Sequence, residues 1–202
     1  MVAKKNIFTM VVIMTVASLL SASARAEQSE DTRRVAERLA LFAQNAVTIN
    51  GFDDMLLSLS KYNRDRIAEN PFTSYDRLNV AIAQLQRSYS NAYGSKLALT
   101  PESVGDLRVV QTDKDKVVAK LANRPTDIHL NSEAYVGNRW RIDLTNPTAD
   151  LLADALARQC TALAATQWPR DPEAGRRLVA ERILSAMTQP PNTMSILQSD
   201  AK

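Results

Sequence analysis

The chain has 202 residues, of which 25 are lysine or arginine and 22 are aspartate or glutamate. Three of the basic residues (Lys4, Lys5 and Arg25) and none of the acidic ones lie in residues 1–26, so residues 27–202 carry no formal net charge. Without an excess of positive charge, or a basic run with interleaved aromatic residues, the sequence argues against nucleic acid as a partner. The length suits one domain with its own core.

Residues 1–26 have the three parts of a secretory signal peptide. A basic start, Lys4 and Lys5, precedes the uncharged apolar residues 7–20, and Ala24-Arg25-Ala26 is a small-x-small cleavage site. The apolar segment is shorter than the ~20 residues that a membrane span needs. We therefore predict cleavage after Ala26, a periplasmic or secreted protein, and a mature chain without a transmembrane span. An uncleaved membrane anchor is the alternative.

Apolar residues at helical spacing predict three helices before residue 100. The first covers about residues 30–49. The second begins at Asp53 or the following residue and ends before Pro71, because a residue that precedes proline disfavours the helical conformation. The third begins with Ser74 as its cap and bends or ends at Gly94.

Residues 106–144 are predicted to form a four-stranded antiparallel sheet, since apolar and polar residues alternate and short turns separate the strands. The apolar face carries Leu107 and Val109 in the first strand, Val117, Ala119 and Leu121 in the second, Ile128 and Leu130 in the third, and Trp140, Ile142 and Leu144 in the fourth. The other face is predicted to point outward and carries Lys120, His129, Asn131, Glu133, Arg139, Arg141 and Asp143.

Two further helices follow the sheet, opened by Asn146-Pro147 and by Asp171-Pro172, where a capping residue precedes proline. The predicted class is α+β, with helices packed on a curved, mainly four-stranded antiparallel sheet and two closing C-terminal helices. The predicted organisation is a signal peptide over residues 1–26, a single domain over 27–189 and a flexible tail over 190–202.

The segments KVVAKL and DIHLNSEAYVGNRWRIDL resemble the terminal hairpins of nuclear-transport-factor-two-like (cystatin-like) domains, over roughly residues 74–144. That superfamily is an α+β cone whose curved sheet wraps around helices and leaves a pocket. A looser similarity to exported Mla-type phospholipid carriers rests on Tyr93-Gly94 and Trp140. These resemblances imply that a lipid, another apolar small molecule or an envelope protein binds at the open end of the cone.

The candidate chemistry is limited to one histidine, His129, and one cysteine, Cys160. His129 with Asp127 or Asp143 is a candidate acid–base pair, as in some enzymes of the cone superfamily, and an exposed strand histidine is the simpler interpretation. Cys160 lies among alanine and leucine, so we predict a small buried residue and no disulfide. No metal, nucleotide or serine-nucleophile motif is found, and we predict no cofactor and no metal.

The candidate ligand-binding residues are aromatic side chains: Trp140, Tyr89, Tyr93 and Tyr135. The main hypothesis is an exported non-enzymatic protein that binds an apolar small molecule, a lipid or a partner protein in a cone-shaped pocket. One alternative is a small cone-type enzyme that uses His129. Another is an interaction or structural protein of the envelope, acting through the alanine-rich fourth helix.

Overall fold

The computed structural model describes residues 30–69, 75–122, 127–133 and 139–188, which form an α+β fold. The predicted signal peptide, Ser74 and the predicted tail lie outside the described residues. Helix α1 covers residues 30–46. The other helices are α2 (Phe52–Leu56), α3 (Lys61–Ala68), α4 (Asp76–Tyr93), α5 (Ala149–Ala164) and α6 (Pro172–Thr188), and the strands are β1 (Leu107–Asp113), β2 (Lys116–Leu121), β3 (Asp127–Glu133) and β4 (Arg139–Asp143).

The sheet has the predicted order β1-β2-β3-β4, and each neighbouring pair is antiparallel. Its predicted apolar face is buried: Ala119, Leu130 and Ile142 are fully inaccessible to solvent. Short connections allow little besides pairing between consecutive strands, which is why local patterning was sufficient to predict the topology. The α+β class with two closing C-terminal helices is confirmed.

The predicted second helix is in fact two helices, α2 and α3, separated by the segment Ser58–Ser60. The Ser60 N–H donates to the carbonyl of Ile142 (2.8 Å), and the Ile142 N–H donates to the carbonyl of Ser58 (3.0 Å). This pairing satisfies backbone groups on the outer side of β4 that would otherwise need another partner. The chain therefore leaves the helical path for three residues and runs parallel to β4.

Three other helix ends have local explanations: two differ from the prediction and one agrees with it. Helix α1 ends at residue 46 rather than 49, and Asn50 follows it with φ of 59°. Asn146 has φ of 50° and is a turn residue, so the cap of α5 is Thr148, whose side chain accepts from Leu151 N–H. Gly94, where the third helix was predicted to bend or end, ends α4 in the left-handed conformation.

The core is continuous from the apolar face of the sheet through the helices. Cys160 lies within it on α5 with no solvent exposure, as predicted, and burial raises the pKa of its thiol to about 12. The thiol is therefore neutral and unreactive at physiological pH. Among the described residues, no helix combines the length and the apolar character needed to cross a membrane.

Candidate functional site

One end of the predicted outward face of the sheet is covered by the α2–α3 segment. Arg141 in β4 was predicted to point to solvent, yet it is only 7% exposed. Its guanidinium donates to the carbonyl of Leu57, in the turn after α2. The prediction was wrong because strand alternation gives the face of a residue, whereas its burial depends on what the rest of the chain places over that face.

Glu133 in β3 compensates the charge of Arg141. Its carboxylate lies 3.7 Å from Nε of Arg141 and 3.5 Å from a terminal nitrogen of Arg64 in α3. It also accepts from the backbone N–H of Lys61, in the first turn of α3, where a negative charge is favourable. Arg64 therefore belongs to this buried network and not to a fully solvated helix face.

Asn63 joins α3 to the chain just after β4. Its side-chain amide donates to the carbonyl of Leu144 (3.0 Å), and its side-chain oxygen accepts from the Leu144 N–H (2.7 Å). Ser60 adds a hydrogen bond from its hydroxyl to Asp143 (2.9 Å) and caps α3. These bonds fix the α2–α3 segment against β4.

A cleft of about 410 Å³ lies between α1 and the start of β4. That volume is within the range of small-molecule sites. Its apolar contacts come from Trp140, which is 7% exposed, and from Leu41, which is 47% exposed. We call it the α1–β4 cleft, and among the described residues it is lined by Glu30, Arg33, Arg34, Glu37, Arg38, Leu41, Arg139 and Trp140.

The acidic side chains of the α1–β4 cleft are paired with two of its arginines. Arg33 forms ion pairs with Glu30 (2.7 Å) and with Glu37, one turn to either side on α1. Arg34 also binds Glu30, through Nε at 2.9 Å. Hydrogen bonds from Arg33 and Arg34 lower the pKa of Glu30 to about 2, so the cluster is ionised and internally neutralised across physiological pH.

Arg38 has a different environment from Arg33 and Arg34. Its Nε is buried and has no hydrogen-bond partner among the described residues. Burial lowers the pKa of Arg38, and repulsion by the neighbouring Arg141 and Arg139 lowers it further. The charged groups that act on Arg38 are therefore cations, and the cleft holds positive charge that the described side chains leave uncompensated.

The structure places His129 beside one of its two candidate carboxylates, and both carboxylates have other partners. His129 is exposed and lies opposite Asp143 and Val118, not opposite Arg139 or Arg141. The two oxygens of Asp143 accept from Ser60 (2.9 Å) and Asn131 (3.0 Å). Asp127 lies 3.4 Å from the ammonium of Lys120. Both carboxylates have other partners, which favours the interpretation of His129 as an exposed strand residue.

We expect His129→Gln to change the free energy of unfolding by less than about 0.5 kcal/mol, because the side chain is exposed. Urea denaturation of the two chains would measure it. Asp143→Asn is the matched comparison on the neighbouring strand and should cost more, because it weakens hydrogen bonds to a charged acceptor. A loss of more than about 1 kcal/mol for His129→Gln would show a buried or paired role that the geometry lacks.

Two of the three tyrosines predicted to bind ligand, Tyr89 and Tyr93, pack elsewhere. Tyr89 is fully buried, and its ring centroid lies 4.7 Å from that of Tyr93 and 5.4 Å from that of Trp168. These rings join α4 to the segment before α6, whereas Trp140 lies at the α1–β4 cleft. Tyr135 is outside the described residues. Of the four predicted ligand-binding residues, the structure places Trp140 at an open cleft.

Comparisons with protein-family models, with curated proteins and with solved structures found no match. The resemblance to cone-shaped domains and to Mla-type carriers therefore stays a prediction, and the case for function rests on geometry. Within the described residues, no three histidine, cysteine or acidic side chains are grouped so that they could hold a metal ion.

Proposed function

We propose that this protein is an exported, non-enzymatic binding protein that takes a small molecule with an apolar part, such as a lipid, at the α1–β4 cleft. One observation carries the proposal: Trp140, one of the four ligand-binding candidates from the sequence, forms an apolar wall of an open cleft beside Leu41. A periplasmic or secreted location belongs to the same proposal and rests on the signal-peptide pattern of residues 1–26.

The position of the cleft differs from the central pocket that a cone would offer. The apolar side chains of the sheet, including Leu130 and Ile142, belong to one continuous core with those of α5, such as Leu156. The side chains of this core already have apolar partners. A ligand is therefore more readily placed at the edge of the sheet, where Trp140 meets solvent and the charged side chains of α1.

The hypothesis of an interaction surface on α5, which is the predicted fourth helix, has less support. The apolar stripe of α5, which includes Leu152, Leu156 and Leu163, faces the core. Leu151 is the large apolar side chain on α5 that is exposed, at 40%. Single exposed apolar residues are ordinary on protein surfaces, so this residue does not define a docking stripe.

Native mass spectrometry of the chain purified from the envelope fraction of its host tests the proposed function. We expect a small molecule to remain bound under native conditions and to be released on denaturation. Leu41→Ser should reduce the bound fraction, and Leu151→Ser is the matched control, because both leucines are exposed on helices to a similar extent, 47% and 40%. An unliganded mass that persists after lipids are added would contradict the proposal.

A further inference from the structure

The α1–β4 cleft and the buried network beside it contain more cationic than anionic groups among the described residues. Glu30 and Glu37 are engaged by Arg33 and Arg34. In the buried network, Glu133 is shared between Arg64 and Arg141. The carboxylates in both places already have guanidinium partners. Arg38 and Arg139 are the cleft residues left over from this pairing.

Arg38 is placed where an unpaired charge is costly. It is half-buried on α1, its Nε–H has no acceptor among the residues that the structure describes, and the charges that act on it come from Arg139 and Arg141. Arg141 is 7% exposed, and its Nε also lacks a hydrogen-bond partner within the described part of the chain and lies 3.7 Å from Glu133. A buried donor without an acceptor destabilises a fold, and a buried cation without an anion does so more.

We propose that the α1–β4 cleft is an oxyanion site, in which Arg38 and Arg139 hold the carboxylate or phosphate-monoester group of the ligand. The inference rests on the proposed function and names the chemistry of the ligand. The planar guanidinium donates through several N–H groups in a fixed arrangement that matches two oxygens of a carboxylate or phosphate. An oxyanion beside Arg38 accepts from its unpartnered Nε–H and reduces the repulsion among the three arginines.

The apolar part of the same ligand lies against Trp140 and Leu41. Trp140 follows Arg139 in β4, and successive residues of a strand point to opposite faces, so the two side chains reach the cleft from the two faces of this edge strand. Leu41 lies three residues after Arg38, almost one helical turn further along α1. Because Arg38, Leu41, Arg139 and Trp140 all line the cleft, cationic and apolar contacts meet at the start of β4. An amphiphilic anion, with a charged group and a short apolar chain, matches this arrangement.

Calorimetric titration of the full-length chain with three short, monomeric probes tests the inference. Hexyl phosphate and hexanoate carry the two anionic groups, and hexyltrimethylammonium has the same apolar chain with a positive charge. We expect the two anions to bind and the cation to bind much more weakly. Arg38→Gln should weaken anion binding by about tenfold or more, because it removes a charged hydrogen-bond donor. Arg158→Gln, which removes an exposed arginine of α5, should leave anion binding unchanged.

Thermal unfolding separates a binding role of Arg38 from a merely structural one. Without any anion, Arg38→Gln should melt at the same temperature as the unaltered chain or higher, because it relieves repulsion. With hexyl phosphate, the unaltered chain should gain thermal stability and the variant should not. A variant that loses stability equally with and without the anion would overturn the inference and assign Arg38 to the fold alone.

One further probe, inorganic phosphate, distinguishes the source of the anionic group. If inorganic phosphate binds as well as hexyl phosphate, the ligand is a free small anion. If hexyl phosphate binds and inorganic phosphate does not, the apolar chain contributes and a lipid-like anion is favoured. Equal binding of hexyltrimethylammonium, or no binding of any anion, would overturn the inference. The proposed function would survive either result if native mass spectrometry still found a neutral or cationic ligand.

Discussion

Glu133→Ala is expected to destabilise the protein by about 3 kcal/mol, because it leaves Arg141 buried without its carboxylate. The side chain of Arg141 is 8% exposed and that of Glu133 is 16% exposed, so water cannot readily replace the lost partner. The same substitution removes the acceptor for the Lys61 N–H at the start of α3. Chemical denaturation followed by circular dichroism measures the loss.

Asp127→Ala is the matched control for Glu133→Ala. Asp127 is on the same strand and face, and it pairs with Lys120 at 3.4 Å, but its side chain is 43% exposed. We expect a cost of at most about 1 kcal/mol, as for most surface ion pairs. The double variant Glu133→Ala, Arg141→Met should recover part of the lost stability, since it also removes the unpaired charge. Equal costs for Glu133→Ala and Asp127→Ala would contradict the buried network.

Asn63→Leu is expected to cost about 3 kcal/mol or more, because it leaves both the N–H and the carbonyl of Leu144 without partners. Asn63 has no solvent exposure, and its two bonds to Leu144 are 3.0 and 2.7 Å long. The leucine is close in size, so the loss reports mainly on hydrogen bonding. Urea denaturation gives the free energy, and hydrogen exchange should show faster exchange of the Leu144 amide.

Asn79→Leu is the matched control, because Asn79 forms a similar pair of bonds with Asn50 at 3.0 and 2.8 Å, in an exposed place. There water can replace the lost partner, so we expect a cost of about 1 kcal/mol or less. If Asn63→Leu cost no more than Asn79→Leu, the bonds from α3 to the end of β4 would not be holding the α2–α3 segment in place.

Local patterns in the sequence were sufficient to predict the sheet and most of the helices. The alternation that ends in Trp140, Ile142 and Leu144 reflects the two faces of a strand. This alternation does not depend on which element packs against the strand. The stripe of α5 and the left-handed Gly94 are likewise determined by neighbouring residues. These features depend on spacings of a few residues, which a single sequence displays directly.

The break between α2 and α3 could not be predicted in the same way. Its cause is the pairing of Ser58 and Ser60 with Ile142, more than 80 residues later in the chain. Asn63 forms a comparable long-range contact, with Leu144, and no residue near Asn63 in the sequence indicates it. A weak signal existed in Ser60, a good helix cap at the start of α3, three residues before Asn63.

The candidate site was predictable in one residue and not in the others. Trp140 was identifiable because it is a large aromatic side chain on the apolar face of the last predicted strand. Arg38 gave no such signal, since arginines on the polar side of an amphipathic helix are ordinary. Its significance comes from Arg139 and Arg141, which a strand far along the chain brings beside it.

Fluorescence of Trp140 tests the central claim, that ligand binds in the α1–β4 cleft, most directly. The chain has two tryptophans, so in Trp168→Phe the remaining emission comes from Trp140 alone. Titration of this variant with hexyl phosphate should give a saturable change in emission, and the same titration of Trp140→Phe should leave the emission of Trp168 unchanged. An unchanged Trp140 signal, at concentrations where calorimetry shows saturation, would place the ligand elsewhere and contradict the account.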